Sequence, residues 1–191
     1  MIWFTSDWHL DHENIITYSN RPFANVREQE AAIVANFFKC VREGDTVYHL
    51  GDIAFDEEAV DRFATRFMRM YHGSVQFHYI VGNHEKRAMA AIRHMATSVS
   101  DMKTIKWGKH SITLCHFLMS SFPRSHYNAW QIFGHHHGVV PTEHLGKRMN
   151  VCVELHDYKP VSIEDVRLWM NQQPNNWDYL SKTGQEGENR K

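Results

Sequence analysis

Five short clusters of side chains able to ligate metal or carry protons punctuate the sequence: Asp7-Trp8-His9, Gly51-Asp52, Gly82-Asn83-His84-Glu85, Cys115-His116 and Gly134-His135-His136-His137. Histidine is the commonest metal ligand and titrates near neutrality, and this chain carries fifteen. Asp7 and His9 alternate along the chain, as do His135 and His137, and in extended backbone alternate side chains point to one side. Each pair therefore reads as a clasp. Imidazole and carboxylate with one amide suit Mn²⁺, with Fe or Zn²⁺ as alternatives, and disfavour Ca²⁺ or a thiolate zinc site. Asp7, His9, Asp52, Asn83, His116, His135 and His137 are too many for one tetrahedral ion. They suit two divalent ions sharing a carboxylate.

Each cluster follows a segment that reads as a strand. Ile2–Thr5, Thr46–Leu50 and Gln76–Val81 are short apolar runs. Asn25–Val41 reads as an amphipathic helix, with Asn25 as cap, Glu28 three residues on, and Ile33, Val34, Phe37, Phe38 and Val41 as its stripe. Asp56–Met70 and His84–Met95 read as further helices, and Asn14–Ser19 as a short one. The first half is thus βαβαβα, the pattern of a parallel sheet. Loops beyond the carboxyl ends of such strands converge on one crevice. The second half reads as strands at Val99–Trp107, Ser111–His116, Trp130–Phe133 and Asn150–Glu154, then a helix over Ser162–Met170. Gly51, Gly82 and Gly134 each precede a candidate ligand, where the backbone must turn sharply or approach closely.

Composition narrows the class. With 21 basic and 22 acidic residues, no global field advertises nucleic acid or membrane. Cys40, Cys115 and Cys152 are scattered and odd in number, which argues against a disulfide framework and suits a reducing cytoplasm. The opening MIWFTSDWHLDH turns polar after four residues, unlike a secretory signal. No window nears the roughly 20 apolar residues of a membrane span. The expectation is one domain over 1–171, followed by a polar, flexible tail over 172–191.

In order, DxH, GD, GNHE, a lone His and GHxH resemble the calcineurin-like metallophosphoesterase superfamily, from Phe4 to about Val153. The stretches SDWHLDHENII, NRPF, YHLGD and GKRMNV are similar to a group of small bacterial and phage phosphoesterases. The resemblance implies an α/β fold, a four-layer α/β/β/α sandwich with two mixed sheets. It implies one metal on Asp7, His9, Asp52 and His137 and a second on Asp52, Asn83, His116 and His135, with Asp52 bridging. A hydroxide between the metals would attack phosphorus, and His84 would protonate the leaving alkoxide. Protein-phosphatase members continue the bridging aspartate with DRG, whereas Gly51-Asp52 here continues Ile53-Ala54-Phe55-Asp56. The aspartate that orients the catalytic histidine is absent or displaced to Asp56, and Glu85 is a possible substitute. These departures point to a phosphodiesterase on a small phosphorylated substrate, a nucleotide or nucleic-acid end, acting as a monomer or small homo-oligomer. A phosphomonoesterase, protein phosphatases included, is the alternative.

Each residue also has a bland reading. A lone HxH is usually surface chemistry, but here four other motifs stand around it. His116 ends an apolar strand, where a satisfied core histidine is common. His136 reads as a spacer and Trp8 as packing. His12, Arg21, Arg124, His126 and Asn128 are candidates for substrate contact, with solvated positions equally open to them. His49, His72, His78, His94, His110, His144 and His156 read as structural or surface. A metallo-β-lactamase-like hydrolase would place its HxHxDH signature deeper in the chain, and an amidohydrolase barrel needs roughly 250 residues. A non-catalytic scaffold on the same fold would have lost ligands, and no ligand is missing here.

Overall fold

The computed structural model describes residues 1–139 and 146–180, in which the chain forms two mixed sheets. The first contains β1 (Ile2–Thr5), β2 (Thr46–His49), β3 (Gln76–Ile80) and β4 (Ser98–Ser100), all parallel, with the antiparallel β9 (Val161–Ser162) beside β1. The second runs β5 (Met102–Trp107), β6 (His110–Cys115), β7 (Trp130–Phe133) and β8 (Arg148–Asn150), with β6, β7 and β8 parallel.

Alternate residues of the first sheet build two cores. Val47, Phe77 and Tyr79 face a cluster supplied by α2 (Val26–Cys40), α3 (Glu57–Tyr71) and α4 (Met89–Met95). Phe4, Tyr48 and Ile80 face the other way, onto Ile112, Leu114, Trp130 and Ile132 of the second sheet. A strand buried on both faces must be apolar throughout, which explains why these strands lack alternation. The helix α1 (Asn14–Tyr18) follows the first cluster, and α5 (Ile163–Gln172) sends Ile163, Val166 and Met170 into the core between the sheets. Asn25 caps α2 through Glu28 N at 3.0 Å, and Ser162 and Asp165 form a capping box on α5. No helix among the described residues is long and apolar enough to cross a membrane.

Four segments differ from expectation. The span 99–107 is not one strand: it breaks at Asp101, with β4 closing the first sheet and β5 opening the second. The expected helix from His84 starts only at Met89, because Glu85 turns inward and is fully buried. Asn150–Glu154 is a strand only at its first residue; Val153–Leu155 is a 3-10 turn. Gln172 ends α5, and residues 175–180, assigned from sequence to a flexible tail, are held in place. Asn176 is buried, donating to the carbonyls of Ser125 and Ala129 and accepting from Lys147 N at 2.8 Å. A side-chain amide with three backbone partners explains the anchoring. His144 and the far end of the tail lie outside the described residues.

Asn176→Ala strands those buried groups, each worth about 1–3 kcal/mol when left unpaired. We expect a lower urea midpoint by equilibrium unfolding; an unchanged midpoint would show that 175–180 only rests on the surface.

Candidate metal centre

Every candidate ligand sits just past the carboxyl end of β1, β2, β3, β6 or β7. The parallel ladders of the first sheet bring Thr5 beside His49 and His49 beside Tyr79 in register, so the loops that follow emerge together. Asp7 N donates to Gly51 O at 2.9 Å and His9 N to Asp52 O at 3.0 Å, extending the pairing into the loops.

Side-chain delivery is not by extended backbone. Asp7, His9, Asp52, His135 and His137 all have positive φ, between 47° and 70°. Left-handed conformation is rare outside glycine, although Asp and His tolerate it better than most, and it costs on the order of 1 kcal/mol or more per residue. These turns, rather than a pleat, bring the alternating residues to one side.

The donor atoms converge. Asp7, His9 and His137 offer atoms within 4.8 Å of one another, as do Asp7, Asp52 and His116. His9 Nε2 and His116 Nε2 each lie 3.6 Å from Asp52 Oδ2, and His137 Nε2 lies 4.0 Å from Asp7 Oδ1. Asn83 Oδ1 lies 3.0 Å from His116 Nε2 and 3.1 Å from His135 Nδ1. All seven candidates are thus together. Both aspartates stand between the histidines, whereas only Asp52 is expected to bridge.

These residues fit a cation. His9 Nε2 is buried and has no hydrogen-bond partner among the described residues, an orphaned polar atom that metal ligation would satisfy. Burial, then the carboxylates of Glu85 and Asp7, push the Asp52 carboxyl up to about 8 in the metal-free protein. Burial and the neighbouring His137 and Arg21 hold His9 well below its ordinary range, leaving it neutral. Neutral imidazoles around crowded carboxylates are the protonation states that divalent metals require. Two glycines keep the space open: a Cβ on Gly51 would sit 2.5 Å from His116 Nδ1, and one on Gly134 2.5 Å from Asp7 Oδ2.

His84 stands at the mouth. Its Nε2 is 3.9 Å from Asp52 Oδ2 and its side chain is 40% exposed. His12 shares that rim, its ring against Phe55, which also meets His84. Neither proposed orienter touches His84: Asp56 caps α3 through Ala59 N, and Glu85 accepts from the backbone of Asp52 and Gly82 and from Tyr79 Oη. Glu85 braces the loop of Asp52 instead. Trp8 is core, edge-on to Phe37 and Phe63. The ring of His136 meets Phe133 and His135.

Three of the five candidates for substrate contact lie elsewhere, and a fourth, Arg21, sits behind the site rather than at its mouth. Arg21 is buried, donating to the carbonyls of Asp7 and Trp8 and to Glu154, and has no face toward solvent. Arg124, His126 and Asn128 precede β7, at the opposite end of the strand from His135. Arg124 lies over Tyr127 and Asn128 bonds Asn175; both line a separate cleft of about 460 Å³ with Lys109 and Lys147. The carbonyl of His126 accepts from Leu180 N.

Sequence reasoning missed the segment 150–154. Asn150 Nδ2 donates to His137 O at 3.1 Å, Cys152 Sγ to Asp7 Oδ2 at 2.9 Å, and Glu154 accepts from His137 Nδ1 at 2.7 Å. Its signal was present: three polar residues at every second position of an otherwise apolar run.

Comparison with known proteins follows this geometry. The calcineurin-like phosphoesterase superfamily domain matches residues 1–174. An uncharacterized protein of Methanocaldococcus jannaschii is 33% identical over 168 residues, covering 85% of this chain and 87% of that protein. The crystal structure of a protein of unknown function from Aquifex aeolicus superposes with a TM-score of 0.68 at 24% identity, covering 88% of this chain and 98% of that one.

A pH test probes the crowded carboxylates. Asp52 titrates near 8 in the folded chain against 3.8 for a free carboxyl, so its contribution to stability is full below pH 3.8 and is lost as pH rises through 8. His137, raised by Glu154 against the effect of burial, slopes the same way. The histidines with lowered values, such as His9, stop contributing slope above 6.5. Chelator-treated protein is therefore expected to lose Tm between pH 6.5 and 8, and Asp52→Asn to flatten that slope. A rising Tm over this window would contradict the assignment.

Proposed function

The chain belongs to the calcineurin-like phosphoesterase superfamily, and from that premise we propose that it is a dinuclear-metal phosphodiesterase acting on nucleotide-like substrates. The observation that carries the reading is the convergence of Asp7, His9, Asp52, Asn83, His116, His135 and His137 around a buried carboxylate with an orphaned imidazole beside it.

Asp7, His9, Asp52 and His137 would hold one ion, and Asp52, Asn83, His116 and His135 the other, with Asp52 common to both sets. Manganese suits this nitrogen and oxygen set best, with iron or zinc as alternatives. The ions, when bound, neutralise phosphoryl oxygens and lower the pKa of the attacking water. His84 supplies the proton for the leaving oxygen. Its ring makes no hydrogen bond among the described residues and faces the mouth, so it is free to reach a substrate. Burial holds its pKa below the ordinary range, with His116 and His137 lowering it further against the pull of Glu85.

Two features favour a diester of nucleotide type. A monoester carries an extra negative charge that calls for added cations, and the arginines considered for that task, Arg21 and Arg124, are respectively buried and at the far end of β7. Phe117 is 44% exposed and packs edge-on to His116 and His135, a free aromatic face beside the second ion position. A planar base stacks on such a face.

Elemental analysis and turnover of bis-p-nitrophenyl phosphate together separate this enzyme from a non-catalytic metal-binding scaffold: two ions per chain and metal-dependent hydrolysis are expected. His84→Ala is expected to keep both ions and to slow alkyl diesters about 10²–10⁴-fold, with far less effect on activated aryl esters. Equal impairment of both substrates would sink the general-acid role.

A further inference from the structure

We infer that Glu154, anchored by Arg21, is a positioning residue that fixes the ring of His137 and ties it to the Asp7–His9 turn, so that this pair sets the strength of the first ion site. The inference rests on the ligand assignment proposed above and extends it to two residues that would touch neither ion nor substrate.

Glu154 Oε1 accepts from His137 Nδ1 at 2.7 Å. The same oxygen also accepts from Nε and Nη2 of the Arg21 guanidinium. A carboxylate paired with a guanidinium offers only acceptors, so His137 carries its proton on Nδ1. The lone pair is then on Nε2, the atom that faces Asp7 Oδ1. One contact thus selects both the tautomer and the orientation of the ring, the role that partners of metal-bound histidines commonly play.

Arg21 extends the arrangement. Its Nε and Nη2 donate to the same Glu154 oxygen at 2.9 and 2.5 Å, Nη2 also to Asp7 O at 2.7 Å, and Nη1 to Trp8 O at 2.9 Å. One buried guanidinium therefore grips the backbone that presents Asp7 and His9 together with the carboxylate that holds His137. Asp7, His9 and His137 are one of the two sets whose donor atoms converge. Among the described residues the side chain of Glu154 bonds only Arg21 and His137, and its Oε2 has no partner. A buried ion pair is weak evidence of stabilisation, whereas a fixed geometry for three ligands from distant parts of the chain gives it a use.

The test is calorimetric titration of the metal-free full chain with Mn²⁺, paired with ¹⁵N NMR of the His137 ring before metal is added. Wild type should show two binding events and an Nδ1–H ring. Glu154→Ala should weaken one event about 10–100-fold, leave the other unchanged, and mix the tautomers. Glu154→Gln keeps an acceptor oxygen and should recover most of the affinity and the tautomer, even if the alanine variant folds poorly. Two wild-type events with both affinities unchanged in the alanine variant would overturn this inference alone. So would equal weakening of both events by Glu154→Gln. Absence of two events in wild type would instead sink the two-ion assignment on which it rests.

Discussion

Buried negative charge is the constraint around which this chain is organised. Asp7 and Asp52 are buried with oxygens within 4.8 Å of a shared set of donors, and Glu85 is buried against the backbone of Asp52. Two ionised carboxylates at that spacing repel by about 3–4 kcal/mol at an effective dielectric near 20. Burial first, and then the charges of Glu85 and Asp7, make the cluster keep a proton, which is why Asp52 titrates so high. A pair of divalent cations would resolve the repulsion more completely and would leave net positive charge for a phosphate. The imidazoles of His9 and His135, held low by burial, are suited to the second solution.

Backbone strain serves the same end. Five of the seven candidate ligands occupy left-handed conformations, which the surrounding sheets must over-determine. They do so through the ladders that run on from β1 and β2 into the loops, through glycines at 51 and 134 that leave no room for a Cβ, and through the Arg21–Glu154 pair behind His137. Two mixed sheets packed on each other, the first backed by α2, α3 and α4, supply the rigid frame. The crevice is where five parallel strand ends open.

Much of this was legible in the residues. The strand-then-cluster pattern located all seven ligand candidates, because parallel strands send their carboxyl ends to one edge and apolar runs betray strands buried on both faces. Turn chemistry was not legible. Alternation at Asp7/His9 looked like pleat, and only coordinates reveal the positive φ. Arg21 follows a turn and reads as an exposed loop residue; its burial depends on Glu154, 133 residues away. The burial of Glu154 depends on the same contact, although the alternation of Asn150, Cys152 and Glu154 marked its segment. The placement of Arg124, His126 and Asn128 could have been foreseen: they precede a strand whose partner residues follow it, so strand polarity alone puts them at the other end. The split at Asp101 carries no sequence signal that separates one bent strand from two.

The most direct measurement is anomalous diffraction from crystals equilibrated with Mn²⁺. Two peaks roughly 3.5–4 Å apart, with the Asp52 carboxylate between them, are what this organisation demands. A single peak, or manganese bound away from Asp52 while the loops keep their shape, would contradict it.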